Sequence, residues 1–404
     1  MRNRTDMRIA AATALVGLML AALYQIRLWT IGPDGYSLLS GRLPYWDFSN
    51  LWAGGRLAVE GRVDAIFDPE IYRAALRAWF GSGLPDQEWS YPPSILLIGV
   101  PLSLLPLPLA YGIWTFGTLA CLYAMLRLFA LPPLVTVALL VSPGALATSL
   151  FGQNGSLTAA LLLGALILLP TRPILAGVLA GLLTIKPHLG LLLPLCFLVS
   201  GQYRAIAAAA VTGAAMALLT GLFWGFEVWS AFFTKTGPLM TAILEAEFPQ
   251  GYQVNAMTVF ILARALGLSL GWAYLCQAMA FTAAALACIW IWRPCFAMDH
   301  RQRACLTAVL TLIATPYGYS YDAVPLSVAA ACFFLTDPRL PRPLLALTYL
   351  WPLILHIPNR QGLMIAVLVP ILFVGMVLWS RRTAPVPQSV VVEGRGAIPS
   401  GAEA

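Results

Sequence analysis

The chain of 404 residues is 60% hydrophobic and only 10% charged, a balance that excludes an ordinary soluble domain of this length. Its net charge of +7 lies largely in short arginine clusters beside apolar segments, which is typical of cytoplasmic loops and gives no reason to expect nucleic acid as a partner. The seven cysteines show no CxxC spacing, so we expect neither a metal site nor a disulfide framework.

Long apolar stretches predict a polytopic membrane protein. The stretches 9–24, 270–292 and 363–379 approach or reach the length that crosses a hydrocarbon core of about 30 Å. They are apolar on every side, whereas the strands of a membrane β-barrel alternate apolar and polar residues. The sequence therefore predicts an all-α bundle of about 10–12 transmembrane helices within residues 1–382. A disordered cytoplasmic tail is predicted for 383–404.

The first helix is predicted over 8–29, as an uncleaved span with a basic, cytoplasmic N-terminus. The segment 30–90 then lies on the opposite, external side of the membrane. Apolar residues at helical spacing predict two amphipathic helices on the bilayer surface, at 50–60 and 69–80. Asp68, which precedes a proline, is the expected N-cap of the second helix.

The remaining predicted helices are uneven in length. An apolar run that ends at Leu105 is predicted to be a re-entrant or half-length helix. A second external loop is predicted at 226–256 and an interfacial segment at 257–266. The other predicted helices cover 108–128, 133–149, 155–170, 173–186, 189–200, 204–225, 268–292, 304–315, 323–336, 343–356 and 362–379. Several are shorter than the roughly 20 residues of a perpendicular span. Polar breaks between such helices are tolerated at membrane depth only where they are buried or line a cavity. We therefore expect Gln153, Asn154 and Lys186 to line a cavity below the external surface.

Asp47 is the candidate catalytic residue. It follows the first helix and lies between Trp46 and Phe48, at the start of the densest charged segment of the chain. Aromatic neighbours at the membrane surface desolvate a carboxylate in part, which raises its proton affinity and suits it to act as a general base. An ordinary solvated loop carboxylate is the alternative for Asp47, and turn or cap roles are expected for Asp64 and Asp68.

Several other polar residues are expected on the same face as Asp47. Lys186 is a compact cation that can bind a phosphate at the membrane boundary, with a snorkelling interfacial lysine as the alternative. Gln153 and Asn154 offer the paired donors and acceptors that sugar hydroxyls need, with a helix-capping turn as the alternative. The parity of the predicted crossings places further candidates for sugar or acceptor binding on this face: Tyr91, His188, Asn255, Tyr321 and Asp322.

The order of these motifs resembles glycosyltransferase family 87. The motifs are Ala53-Gly54-Gly55-Arg56, Glu60-Gly61 and Phe67-Asp68-Pro69, then Tyr91-Pro92-Pro93, Gly152-Gln153-Asn154, Lys186-Pro187, Asn255 and Thr315-Pro316 with Tyr321-Asp322. The resemblance extends over roughly residues 5–380. That family includes polyprenol-phosphate-mannose-dependent mannosyltransferases of the bacterial envelope and belongs to the GT-C superfamily of membrane transferases.

The resemblance implies transfer of a mannose-like hexose from a polyprenyl-phosphate sugar to a lipid- or glycan-linked acceptor, at the periplasmic side and with inversion. The catalytic acid of the first external loop maps onto Asp47. In the mechanism that we expect from these residues, Lys186 together with Arg56 holds the donor phosphate. No cofactor is implied, and a metal is not required where Lys and Arg neutralise the phosphate. Some members carry a histidine after the late Thr-Pro; Tyr317 stands there in this chain, so no role is carried over for that histidine.

Two other functions use similar residues. A transporter or flippase of lipid-linked sugars also has broken helices and buried polar groups, but this chain has no detectable repeat and its charge is concentrated in one external loop. A polymer ligase, which moves a whole glycan, is the third possibility.

Overall fold

The computed structural model describes residues 4–382, whose regular secondary structure is helical, with β structure limited to two isolated bridges, Ile31–Ser37 and Ala256–Tyr319. The prediction of an all-α protein is confirmed. The segment 383–404, for which a tail was predicted, lies outside the described residues.

The N-terminal half of the chain reproduces most of the predicted helices. They are α1 (Arg4–Leu28), α2 (Trp46–Val59), α3 (Pro69–Phe80), α4 (Leu96–Ser103), α5 (Leu107–Leu128), α6 (Pro133–Leu140), α7 (Pro143–Leu150), α8 (Gly155–Leu168), α9 (Pro173–Leu182), α10 (Leu193–Val199) and α11 (Tyr203–Trp224). The Asp68 side chain accepts hydrogen bonds from the backbone N–H groups of Glu70 and Ile71, at 3.1 Å each, which confirms the predicted cap of α3. The helix predicted at 133–149 is broken into α6 and α7, which are bent by 42° where Ser142 caps α7.

The C-terminal half contains α12 (Glu227–Ala231), α13 (Gly237–Glu245), α14 (Val259–Ala265), α15 (Leu270–Trp292), α16 (His300–Ala314), α17 (Val324–Thr336), α18 (Arg342–Ile354), α19 (His356–Arg360) and α20 (Leu368–Arg382). The segment 226–256, which was predicted as a second external loop, contains α12, a π-helical turn at Phe232–Thr236 and α13. Val228 and Leu244 in these helices are buried, so the segment gains apolar contacts by folding back on the bundle.

Four of the described helices, α1, α5, α11 and α15, are long and apolar enough to cross a membrane, and the bent pair α6–α7 makes a fifth if it is one span. Their outward faces are apolar and exposed, as Met19 (62%), Phe116 (75%) and Val211 (69%) illustrate. Exposed apolar surface of this extent is typical of helices that contact lipid.

The shorter helices form the interior. α8 is buried along its length except at Leu157, which is partly exposed, and nearly all of α16 and α17 is buried as well. A helix surrounded by protein need not span the bilayer by itself, because its ends and their polar breaks face other helices instead of lipid. The short predicted helices therefore leave room for polar residues inside the bundle.

Contacts between helix termini define a basic end of the bundle. They are Arg342 with Asp6 (3.2 Å), His300 Nε2 with the carbonyl oxygen of Leu166 (3.0 Å), and Arg301 with the carbonyl oxygen of Phe129 (3.4 Å). The start of α1, the ends of α5 and α8 and the starts of α16 and α18 therefore lie together. We call the opposite end, which carries the segment 30–90, the loop end.

At the loop end, α2 packs directly against α4. Gly55 lies against the backbone of Gly99, and Gly54 lies against the Trp89 ring, so a side chain at either glycine would collide with its neighbour. As a result α2 is buried on most sides and not only along one apolar face. It also begins at Trp46 instead of residue 50, which places Asp47 in the first turn of a helix and not in a loop.

Candidate active site

A glycine-flanked turn between α7 and α8 forms the base of the candidate site. Gly152 has a φ of +74°, and a Cβ there would collide with Phe48 of α2. A Cβ on Gly155 would collide with the carbonyl oxygen of Tyr321. Trp114 donates a hydrogen bond to the Gly152 carbonyl at 2.8 Å. The two glycines thus allow α2, α8 and the segment before α17 to meet at one point. The two residues between these glycines, Gln153 and Asn154, carry amide side chains.

Lys186 reaches this turn from the end of α9. Its side chain is only 9% exposed, and its Nζ lies 2.5 Å from Asp322 Oδ1 and 3.3 Å from Asn154 Oδ1. The ammonium also lies 4.6 Å from the centroid of the Tyr321 ring, a cation–π distance. These contacts leave Lys186 buried and partnered, so the alternative of a lysine that snorkels to the interface is wrong.

Asn154 and Asp322 are held in place to receive this ammonium. Asn154 is the N-cap residue of α8, but its side chain does not cap the helix, so the capping alternative is wrong for its amide. Its Nδ2 is buried and has no hydrogen-bond partner. The Asp322 side chain is fully buried in a single 3₁₀ turn, where its second oxygen accepts a hydrogen bond from the Tyr319 N–H at 3.3 Å.

Asp47 approaches the same turn from α2. Its backbone N–H donates to the Phe151 carbonyl at 3.3 Å, and its carboxylate hydrogen-bonds to Gln153. Burial raises the pKa of Asp47 to about 6, although Lys186, the Gln153 hydrogen bond and Arg42 each lower it. A carboxylate that titrates near neutral pH and keeps partial exposure is suited to general-base catalysis.

Gln153 also connects Asp47 to the aromatic wall of the site. Tyr91 hydrogen-bonds to the Gln153 side chain and packs edge-on against Trp89 at 5.4 Å between centroids. Tyr321 is a further aromatic residue of the site and stacks on Tyr319 at 5.3 Å between ring centroids. The structure therefore brings together seven of the residues singled out in the sequence: Asp47, Tyr91, Gln153, Asn154, Lys186, Tyr321 and Asp322.

Two predicted residues lie beside this group. His188 packs near Tyr317 at 6.1 Å between ring centroids, and its Nε2 is buried without a hydrogen-bond partner. Asn255 ends a 3₁₀ turn, after which the Met257 N–H donates to the Gly318 carbonyl at 2.9 Å. His188 and Asn255 thus flank the segment that leads from α16 to Asp322.

Arg56 is the one predicted residue that the structure places away from the others. It forms an exposed ion pair with Glu60 at 3.0 Å. It lies nine residues beyond Asp47 on α2, which corresponds to about 13 Å along the helix axis.

Another arginine acts at the site and was not predicted. Arg42 lies over the Trp46 ring at 4.8 Å and lowers the pKa of Asp47. A sequence signal existed for it, since it is a basic residue in a loop predicted to be external, where basic residues are uncommon. Within residues 4–382, no group of three or more His, Cys, Asp or Glu side chains is arranged to hold a metal ion.

Comparison with known protein families gives a match over part of the chain. The family described as Glycosyltransferase family 87 matches residues 89–316, which is more than half of the chain. The match includes Tyr91, Gln153, Lys186 and Asn255, whereas Asp47 lies before it. No curated protein and no solved structure matches the chain.

Proposed function

Since the chain belongs to glycosyltransferase family 87 and is a helical membrane protein, we propose that it transfers a mannose-like hexose from a polyprenyl-phosphate donor to a lipid- or glycan-linked acceptor. The reaction takes place at the loop end, which faces the periplasm if the basic end faces the cytoplasm. One observation carries the proposal: a buried ammonium, Lys186, and a carboxylate with a raised pKa, Asp47, meet on the adjacent amides Gln153 and Asn154.

In the proposed reaction, Asp47 is the general base. It takes the proton from an acceptor hydroxyl, whose oxygen attacks the anomeric carbon of the donor sugar from the face opposite the phosphate. The new carbon–oxygen bond forms as the bond from the anomeric carbon to the phosphate oxygen breaks. The electron pair of that bond leaves with the polyprenyl phosphate, which gains negative charge. Because the attack comes from the opposite face, the configuration at the anomeric carbon is inverted.

Lys186 stabilises this negative charge. Its ammonium lies between Asp322 and Asn154, so a donor phosphate has to share it with Asp322 or displace that carboxylate. Arg56 is a second phosphate contact, which requires its ion pair with Glu60 to open. Arg42, whose charge already acts on Asp47, is a third.

The sugar and the acceptor are bound by the polar groups around this ion pair. The unpartnered Nδ2 of Asn154 is available to donate to a sugar hydroxyl, since a buried donor without a partner is costly. Gln153 and Asp322 supply further hydroxyl contacts, and Tyr91 and Tyr321 supply aromatic walls. We assign His188 and Asn255 to the acceptor side, because they flank the segment that leads to Asp322.

The test is transfer of labelled mannose from a polyprenyl-phosphate donor by the purified protein in lipid nanodiscs. We expect Asp47→Asn to lower turnover by about 10²–10⁴-fold, the usual contribution of a general base. The matched control is Asp64→Asn, an exposed carboxylate in the same loop, which should leave turnover unchanged. Near-normal turnover by the Asp47→Asn protein, or an equal loss in the control, contradicts the assignment.

The same preparation separates the alternatives. If lipid-linked sugar crosses the bilayer of proteoliposomes and no labelled glycosidic product forms, the protein is a flippase or transporter. If only a preformed glycan on its lipid carrier serves as donor, the protein is a polymer ligase.

A further inference from the structure

A groove at the basic end, on the outer surface of α9 and α11, is unrelated to the site around Asp47. It has a volume of about 420 Å³. Arg172 and Arg204 line it, and its walls are the apolar side chains of Ile174, Leu175 and Val178. Ile174 is 60% exposed, so the groove opens sideways, toward the lipid-facing surface of the bundle.

The two arginines are brought together by a close, parallel contact between the helices. Gly177 of α9 lies against the backbone at Ala205 of α11, and one turn later Gly181 lies against Ala209. Small residues at this four-residue spacing let two helix backbones touch. Because the helices run in the same direction, both begin at the basic end, and Arg172 and Arg204 flank the two starts.

Neither arginine has an acidic partner among the described residues. No salt bridge within residues 4–382 includes Arg172 or Arg204, and no acidic side chain lines the groove. Other arginines of the basic end differ, since Arg339, Arg342 and Arg381 each pair with a carboxylate at 2.8–3.2 Å. The groove therefore presents two positive charges and an apolar wall that residues 4–382 leave uncovered.

An apolar stripe leads from this groove into the membrane-spanning part of α11. Val211, Leu218 and Leu222 lie on the same face as Arg204, because their spacings of seven, seven and four residues each return to that side of a helix. They are 69%, 52% and 67% exposed. Paired cations at one end of an exposed apolar stripe match the two halves of a phospholipid, a charged headgroup and its acyl chains.

We propose that this groove binds an anionic phospholipid from the leaflet at the basic end. The phosphate of the headgroup lies between the Arg172 and Arg204 guanidinium groups, which can each donate two hydrogen bonds to it. One acyl chain runs along Val211 and Leu218. Basic pockets between transmembrane helices are suited to acidic headgroups, and a zwitterionic lipid gains less because its own ammonium offsets the phosphate.

The test is native mass spectrometry of the full chain in detergent, titrated with phosphatidylglycerol or with phosphatidylcholine of the same acyl chains. We expect one phosphatidylglycerol to bind at least about 10-fold more tightly than phosphatidylcholine. The variant Arg172→Ala/Arg204→Ala should bind phosphatidylglycerol about 30-fold more weakly, from the usual contribution of two basic residues near a membrane surface.

The control removes the same charge elsewhere at the same end. Arg127 and Arg293 are exposed and lie outside the groove, so Arg127→Ala/Arg293→Ala should keep the wild-type affinity. Equal loss in both double variants would show a diffuse charge effect and overturn the proposal, as would equal affinity of the wild type for the two lipids. If the alanine variant is not monodisperse, Arg172→Gln/Arg204→Gln is measured in its place, and an unchanged affinity there overturns the proposal too.

Discussion

Breaking the buried ion pair between Lys186 and Asp322 should destabilise the protein unequally, depending on which partner is removed. In Lys186→Met, the fully buried Asp322 carboxylate keeps only the hydrogen bond that it accepts from the Tyr319 N–H, at 3.3 Å. In Asp322→Asn, the ammonium keeps Asn154 Oδ1 at 3.3 Å and the Tyr321 ring at 4.6 Å. The lysine substitution should therefore lower the free energy of unfolding more than the aspartate substitution does, because it leaves the charge with fewer partners in the interior.

The magnitudes follow from the burial of the two groups. Removing one partner of a buried pair costs about 3–5 kcal/mol, which we expect for Lys186→Met. For Asp322→Asn we expect about 1–3 kcal/mol, the cost of a weakened but still hydrogen-bonded charge. The double variant Lys186→Met/Asp322→Asn should be more stable than Lys186→Met alone, since no unpaired charge remains.

The assay is unfolding in mixed micelles with an increasing fraction of SDS, followed by loss of helical circular dichroism. Sugar transfer is measured on the same samples, and the double variant should stay inactive although its stability recovers, because the phosphate has lost its cation. Equal costs for the two single variants, or a double variant with a cost equal to their sum, would refute the reasoning from the ion pair.

Two further predictions follow from the same site. Because the pKa of Asp47 is raised to about 6 and the base must be deprotonated, kcat/KM for transfer should rise as the pH increases through about 6 and level off above it. A pH profile that is flat between 5 and 7 contradicts this role. Gly155→Ala should destabilise the protein by about 1–3 kcal/mol and lower transfer, because the new methyl group collides with the Tyr321 carbonyl. Gly112→Ala on α5, where the methyl group meets open space, is its control in both thermal unfolding and transfer.

Local chemistry explains which helices were predictable. The bounds of α3 match the prediction because Asp68 caps it and a proline follows, signals that act within a few residues. The long apolar helices were found within a few residues of their observed bounds because uninterrupted hydrophobicity is itself the signal. The start of α2 was missed because Tyr45 gives no side-chain cap; that start depends on the bond from Asp47 to Phe151 and on contact between Phe48 and Gly152.

The sequence by itself determined that the chain is a helical membrane protein, that Asp47 follows the first helix, and that its polar residues lie at helix ends on one side. It could not pair them, because Lys186 and Asp322 are 136 residues apart and neither type of residue specifies its partner at that distance. Only the tertiary structure decided that Gly152 and Gly155 let three segments meet, that Gln153 and Asn154 lie between the acid and the ammonium, and that Arg56 lies elsewhere. Close packing of backbones around two glycines is a property of the assembled bundle, so the local propensities of the residues do not predict it.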